Sequence, residues 1–305
     1  MINTHHTNHS ERSKKITIQV SEANELLKFI IDKLPGKSRN SLKSFLVHRQ
    51  IKVDNKIITR YNHPLKPGQQ VVIQSGRGQE EFKHRDLKIL FEDRYIIVVD
   101  KKAGLLSIST ATEQEKTAYS ILNSYVKKEN PKNRIFVVHR LDRDTSGVMM
   151  FVKSSEVQHS LRSNWKESVK ERNYIAVVEG FVEKDEDSVT SWLKESKDLI
   201  MFSSRKTNDG EKATTHYKVI KKNKKYSLLS VTLETGKKNQ IRVHMQDIGH
   251  SIAGDVKYGS TSDPVKRLCL HANVLSFIHP VTKKEMKFES PVPNEFVALC
   301  DGKIE

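Results

Sequence analysis

Apolar residues first repeat with a helical period at Leu26, Leu27, Ile30, Ile31 and Leu34. Ser21 is the expected N-cap and Pro35-Gly36 the stop. Leu42, Phe45 and Leu46 then share one face of a second short helix. After it the period falls to two. Ile51-Lys52-Val53 alternates, Asp54-Asn55 turns, Ile57-Ile58 resumes, and Pro67-Gly68 turns again before Val71-Val72-Ile73. This order of helix, helix and short strands predicts a small α/β domain over residues 16–75. Residues 1–15 carry no periodicity and read as a disordered tail. Residues 76–86, opening Gly76-Arg77-Gly78-Gln79-Glu80-Glu81, read as a linker.

From Leu87 to Cys300 the pattern is mostly that of strands. Leu87, Ile89 and Phe91 alternate, and Ile96–Val99 and Val148–Val152 are short apolar runs of the buried kind. Tyr174–Val178, Thr214–Val219, Leu228–Leu233 and pieces between Cys269 and Phe288 add further strands. Helices are expected at Ser120–Val126, around Val157, Leu161 and Trp165, and at Ile241, Met245 and Ile248, with Gly249 at the C′ position. Strands dominate with helices inserted between them. The expected class is therefore α+β, a mixed but mostly antiparallel sheet over residues 87–300 preceded by the small domain.

Composition narrows the function classes. The longest apolar runs fall far short of the roughly 20 residues of a membrane helix, and Met1-Ile2-Asn3-Thr4-His5-His6 lacks a signal peptide's apolar region. Two cysteines, Cys269 and Cys300, are too few for a disulfide framework or a cysteine-built zinc site. A cytoplasmic protein is expected. The 305 residues carry 53 Lys+Arg against 37 Asp+Glu, a net charge of +16, which speaks about partners. Residues 14–66 hold twelve Lys/Arg against four Asp/Glu. Lys37, Arg39, Lys43, Arg49 and Lys52 cluster around the second helix and the turn after it. A face of one sign points to nucleic-acid phosphates more than to a solvated surface.

Three stretches are chemically dense. The loop His139-Arg140-Leu141-Asp142-Arg143-Asp144-Thr145-Ser146-Gly147 puts carboxylates, guanidiniums, an imidazole and hydroxyls between two apolar strands. Its plain alternative is turn chemistry with neutralised acids. Tyr174 opens an apolar strand after Glu171-Arg172-Asn173, where a half-buried packing ring is the plain alternative. Thr235-Gly236-Lys237-Lys238-Asn239-Gln240-Ile241-Arg242-Val243-His244 is a glycine turn feeding a helix. Arg242 flanks its buried face and needs a carboxylate partner, for a site or for a stabilising ion pair.

Taken together, these stretches resemble the RluA-type RNA pseudouridine synthases. The carrying motifs are His139–Gly147, Arg172–Gly180 and Thr235–His244, supported by Gly254-Asp255-x-x-Tyr258-Gly259, Leu270-His271-Ala272 and Phe277-x-His279-Pro280. Residues 16–75 resemble the small RNA-binding module first seen in ribosomal small-subunit protein S4, through Ser38-Arg39-Asn40-Ser41 and Arg49-Gln50-Ile51-Lys52-Val53-Asp54-Asn55. The family pattern is not kept everywhere: Lys102 stands for the usual proline, Arg172 for a lysine, Lys237 for an arginine and Asn239 for a histidine.

The resemblance implies isomerisation of uridine to pseudouridine in RNA without cofactor or metal. Asp142 is the implied nucleophile, Tyr174 the ring stacked on uracil, and Arg242 the charge that keeps Asp142 ionised by lowering its pKa. His139, Arg140 and Thr145 are implied RNA contacts, with Arg140 filling the space the flipped base leaves. Asp144 belongs to the loop. Ribosomal RNA, of the large subunit, is the expected substrate, with tRNA as the alternative; no membrane partner is expected, and the protein is expected to be a monomer. Two other classes stand beside this reading: a ribosome- or RNA-binding factor keeping the fold without activity, and a hydrolase pairing Asp142 with Asp144.

Overall fold

The computed structural model describes residues 14–47, 50–75, 82–109, 116–204 and 206–302. The chain divides into two units, residues 1–82 and 83–305.

In the first unit, strand β1 (Lys14–Gln19) is followed by β2 (Asn24–Glu25), helix α1 (Leu26–Lys33) and helix α2 (Arg39–Val47). Four short strands complete it: β3 (Ile51–Val53), β4 (Lys56–Ile57), β5 (Pro64–Leu65) and β6 (Gln70–Ser75). The sheet runs β1-β6-β3-β4, antiparallel throughout. Leu26, Leu27 and Ile30 of α1 meet Leu42 and Leu46 of α2 over Ile51, Val71 and Ile73, a core of its own. Ser21 is not the N-cap of α1. Glu25 holds that position without a side-chain bond. The first helix amides donate instead to backbone, Leu26 to the His63 carbonyl at 2.9 Å and Leu27 to that of Tyr61 at 3.0 Å, so no capping side chain is needed. At the β3–β4 turn Asp54 and Asn55 have φ of 47° and 66°, the two-residue hairpin geometry that Asn and Asp tolerate. The Asp54 carboxylate locks it by accepting from the Gln70 amide at 2.9 Å.

The second unit opens with β7 (Leu87–Glu92), β8 (Ile96–Lys101), α3 (Ala118–Glu129), β9 (Phe136–Val137) and β10 (Ser146–Val152). Then come α4 (Ser155–Ser163), α5 (Trp165–Ser168), β11 (Val169–Glu179), β12 (Glu186–Glu195) and β13 (Met201–Ser204). The rest is β14 (Glu211–Lys222), β15 (Tyr226–Leu233), α6 (Gln240–Asp247), β16 (Leu270–Ile278), β17 (Glu285–Glu289) and α7 (Asn294–Cys300). Among the described residues eleven strands make one sheet, ordered β13-β12-β14-β15-β11-β16-β10-β8-β7 with β17 on β16 and β9 on β10. Its pairings are antiparallel except β10 with β16, so the class is α+β. Every residue of β10 is buried, which explains its unbroken apolar run: both faces are covered. α4 packs Val157 and Leu161 on Ile96, Val98, Met150 and Val152. α6 and α7 pack Ile241, Met245, Phe296 and Leu299 on β11 and β15. β12 and β13 were not legible in the pattern, because in β12 only Ser191 and Leu193 are buried. Among the described residues no helix is long and apolar enough to cross a membrane.

Candidate active site

The loop between β9 and β10 is held from beneath by the turn after β8. Lys101 is fully buried, and its Nζ donates to the carbonyls of Leu105 at 2.7 Å, Arg143 at 3.0 Å and Lys102 at 3.1 Å. The Ser107 hydroxyl donates to the Leu141 carbonyl at 2.6 Å and accepts from the Leu141 amide at 3.1 Å. The Gly104 amide donates to the Arg143 carbonyl at 3.0 Å. The residues on either side of Asp142 are thus fixed by backbone bonds, the support a reacting carboxylate requires. At the exit from the loop Gly147 has φ of 113°, and a Cβ there would lie 2.1 Å from the Ala272 carbonyl oxygen. Only glycine lets β10 approach β16 this closely.

Arg242 rises from α6 toward this loop. The helix is clamped by two buried side chains of the same motif. Gln240 Nε2 donates to the Thr214 carbonyl and the Thr215 hydroxyl, both at 2.9 Å. The His244 ring bonds the hydroxyls of Ser191 at 3.0 Å and Thr215 at 2.8 Å. The guanidinium itself is gripped by Asp255, with Nε and Nη2 each 2.7 Å from a carboxylate oxygen. The Tyr258 ring lies 4.7 Å beneath it. Asn239, in the left-handed region at φ 53°, accepts from Nη1 at 3.4 Å and donates to the Tyr258 hydroxyl at 2.9 Å. That hydroxyl in turn accepts from the Met201 amide of β13. Held in this cage, Arg242 places Nη1 3.7 Å from Asp142 Oδ2.

The expected partner is therefore the second partner. Asp255, with only 1 % of its side chain exposed, meets the need for a buried carboxylate, and Asp142 shares what remains. The expected net lowering of the Asp142 pKa is corrected as well. Burial raises it above the usual carboxylate value, outweighing the pull of Arg242, Arg140 and Lys101, and Asp255 adds to the rise. Burial also raises Tyr174; the nearby Arg172 charge opposes this and the Asp142 charge adds to it. Tyr174 is thus a protonated phenol within the field of Asp142. Burial brings Lys101 down to about 7, against the pull of Asp144 and Asp142.

Of the other residues singled out in the sequence, Arg140 and Asp144 are exposed and Thr145 is buried, facing inward. His139 is a pin: Nε2 accepts from the Met150 amide at 3.0 Å, its ring packs on Trp165, and burial takes it down to about 3, so it is neutral. Lys37, Arg39 and Lys43 are exposed along α2 and its entry, and Lys52 is half-buried on β3. Arg49 lies outside the described residues. Lys101, Ser107, Asp255 and Tyr258 were missed as part of the site. Asp255 and Tyr258 carried a signal, since they stand in the supporting motif Gly254-Asp255-x-x-Tyr258-Gly259. Among the described residues no group of three or more His, Cys, Asp or Glu side chains is arranged to hold a metal ion.

A carboxylate fixed on both sides, beside a phenol and a caged guanidinium, can attack an electrophilic carbon or take a proton. The sequence profile of the RNA pseudouridylate synthase family matches residues 95–247, which span this constellation. A Bacillus subtilis protein named as an RNA pseudouridine synthase is 35% identical over 216 residues, 71% of this chain and 76% of that one. Ribosomal large subunit pseudouridine synthase D of Nitrosomonas europaea is 33% identical over 282 residues, 88% of this chain and 81% of that one. Among solved structures, human RNA pseudouridylate synthase domain containing 4 superposes with a TM-score of 0.58 at 22% identity, over 71% of this chain and 93% of that one.

Proposed function

Because the chain belongs to the RNA pseudouridylate synthase family, we propose that it isomerises specific uridines of large-subunit ribosomal RNA, with Asp142 as the attacking carboxylate. The observation that carries the role of Asp142 is its placement: the neighbours on both sides are pinned by the turn after β8, and Arg242 stands 3.7 Å away. The reaction breaks the N1–C1′ bond, turns the base and joins C5 to C1′. It is balanced by loss of the C5 proton and uptake of a proton at N1, so the product is an isomer of the substrate. Asp142 attacks the sugar or the base ring or assists elimination, and the Arg242 charge favours its ionised form against burial. Tyr174 stacks on the uracil; as a protonated phenol it is not the group that takes up the C5 proton. Arg140, exposed on the same loop, fills the space left in the RNA by the flipped nucleotide.

The first unit is the RNA-docking module in this reading. Lys37, Arg39, Lys43 and Lys52 have no carboxylate partner within ion-pair distance among the described residues, as phosphate contacts require. Large-subunit RNA is favoured because the Nitrosomonas relative carries that substrate in its name. Mapping pseudouridines in total RNA with and without the gene tests the assignment. Loss of one or a few sites in large-subunit ribosomal RNA is expected. Sites lost only from tRNA would move the substrate, and no lost site would reject the function.

A further inference from the structure

Arg172 stands two residues before Tyr174 on β11, so the two side chains share one face about 7 Å apart along the strand. It is half-buried. Nη2 donates to the Leu233 carbonyl at 3.3 Å, and Nη1 lies so close to Gly236 that a Cβ there would sit 2.5 Å from it. No carboxylate among the described residues pairs with this guanidinium. The other arginines beside the loop are answered: Arg242 by Asp255, and Arg267 by the Ser146 hydroxyl at 2.6 Å and Glu295 at 3.9 Å. The groups around Arg172 are neutral, His139 as free imidazole and Tyr174 as phenol. A guanidinium has five N–H donors in a planar fork suited to phosphate, and four of these find no acceptor in the described structure. A half-buried cation without a counter-charge is costly until an anion arrives.

We propose that Arg172 binds a backbone phosphate of the RNA substrate, one flanking the uridine seated between Asp142 and Tyr174. The site rests on the RNA reading above. Gly236 belongs to it, because a bare backbone there leaves the seat for the guanidinium. Its φ lies outside the left-handed region, so alanine fits the backbone and only displaces the flexible end of Arg172.

The test uses the full chain and a transcript of large-subunit ribosomal RNA tritiated at uridine C5, with affinity measured across salt concentrations. Arg172→Gln should bind about tenfold more weakly, as loss of a charge-assisted pair predicts, and the slope of log affinity against log salt should fall by about one. Arg172→Lys should keep the slope, and Gly236→Ala should lose affinity with the melting temperature unchanged. A purely structural arginine would lower the melting temperature and leave the slope alone. A folded Arg172→Gln with wild-type slope and affinity overturns the proposal; if that variant does not fold, wild-type binding by Gly236→Ala overturns it. If the wild type releases no tritium, the functional reading fails and this site with it. If it releases tritium while the variants bind normally, only the phosphate site fails.

Discussion

At Arg242 two carboxylates draw on one guanidinium, and Asp255 holds two of its nitrogens while Asp142 meets the third at 3.7 Å. Removing the charge has two separable effects. Arg242→Gln strands the buried Asp255, at a cost of about 3–5 kcal/mol, and takes away the counter-charge that pulls Asp142 down. The double variant Arg242→Gln/Asp255→Asn removes the first effect and keeps the second, less the smaller rise that the Asp255 charge contributed to Asp142. Burial already raises the Asp142 pKa; without Arg242 it rises further. Since the protonated carboxylate is inactive and dominates below its pKa, the acid limb of kcat/KM should move to higher pH. A pH–rate profile of the double variant checks this, and an unmoved acid limb would deny that Arg242 tunes Asp142. Asp142, Tyr174 and Arg242 were legible because charged and aromatic groups are dense around them in the sequence. Lys101 and Ser107 were not, because they act through backbone carbonyls and amides of a loop 42 and 34 residues later in the chain, and no local pattern records such a contact.

Among the elements, the loop carrying Asp142 owes its position to the turn after β8 more than to its own sequence. Ser107 both donates to and accepts from Leu141. Ser107→Ala leaves two buried backbone groups unpaired, each costing about 1–3 kcal/mol. The expected result is a kcat at least tenfold lower with KM nearly unchanged, since RNA contacts elsewhere survive while the carboxylate loses its aim. Steady-state kinetics decide it; an unchanged kcat would mean that the loop holds itself. The same distinction governs what the pattern revealed about elements. β8 and β10 were readable because burial on both faces forces continuous apolar runs. β12 and β13 escaped because most of their side chains are not buried. Ser21 misled because the start of α1 is satisfied by backbone carbonyls from a segment far along the chain. The lysine-rich Lys221–Lys225 hairpin is partly committed to the fold. Lys222 bonds Asp185 and the Val182 carbonyl and covers the Phe181 ring, and Lys221 pairs with Asp301.

The whole molecule combines two units with separate cores and an uneven share of the charge. Residues 14–66 hold twelve basic against four acidic side chains. Removing residues 1–82 should leave a folded second unit that binds RNA more weakly and with a flatter salt dependence. Binding isotherms at several salt concentrations measure this; an unchanged slope would remove the first unit from RNA recognition. The reaction is what the assembled molecule must perform, and release of tritium from uridine C5 tests it most directly. Joining C5 to C1′ expels that hydrogen, so the purified protein should pass label from the RNA to water. Asp142→Asn keeps the size and most hydrogen bonding of the side chain but not its charge or nucleophilicity. It should still bind RNA and release nothing above background. Substantial release by Asp142→Asn, or free uracil that retains its label, would contradict the account.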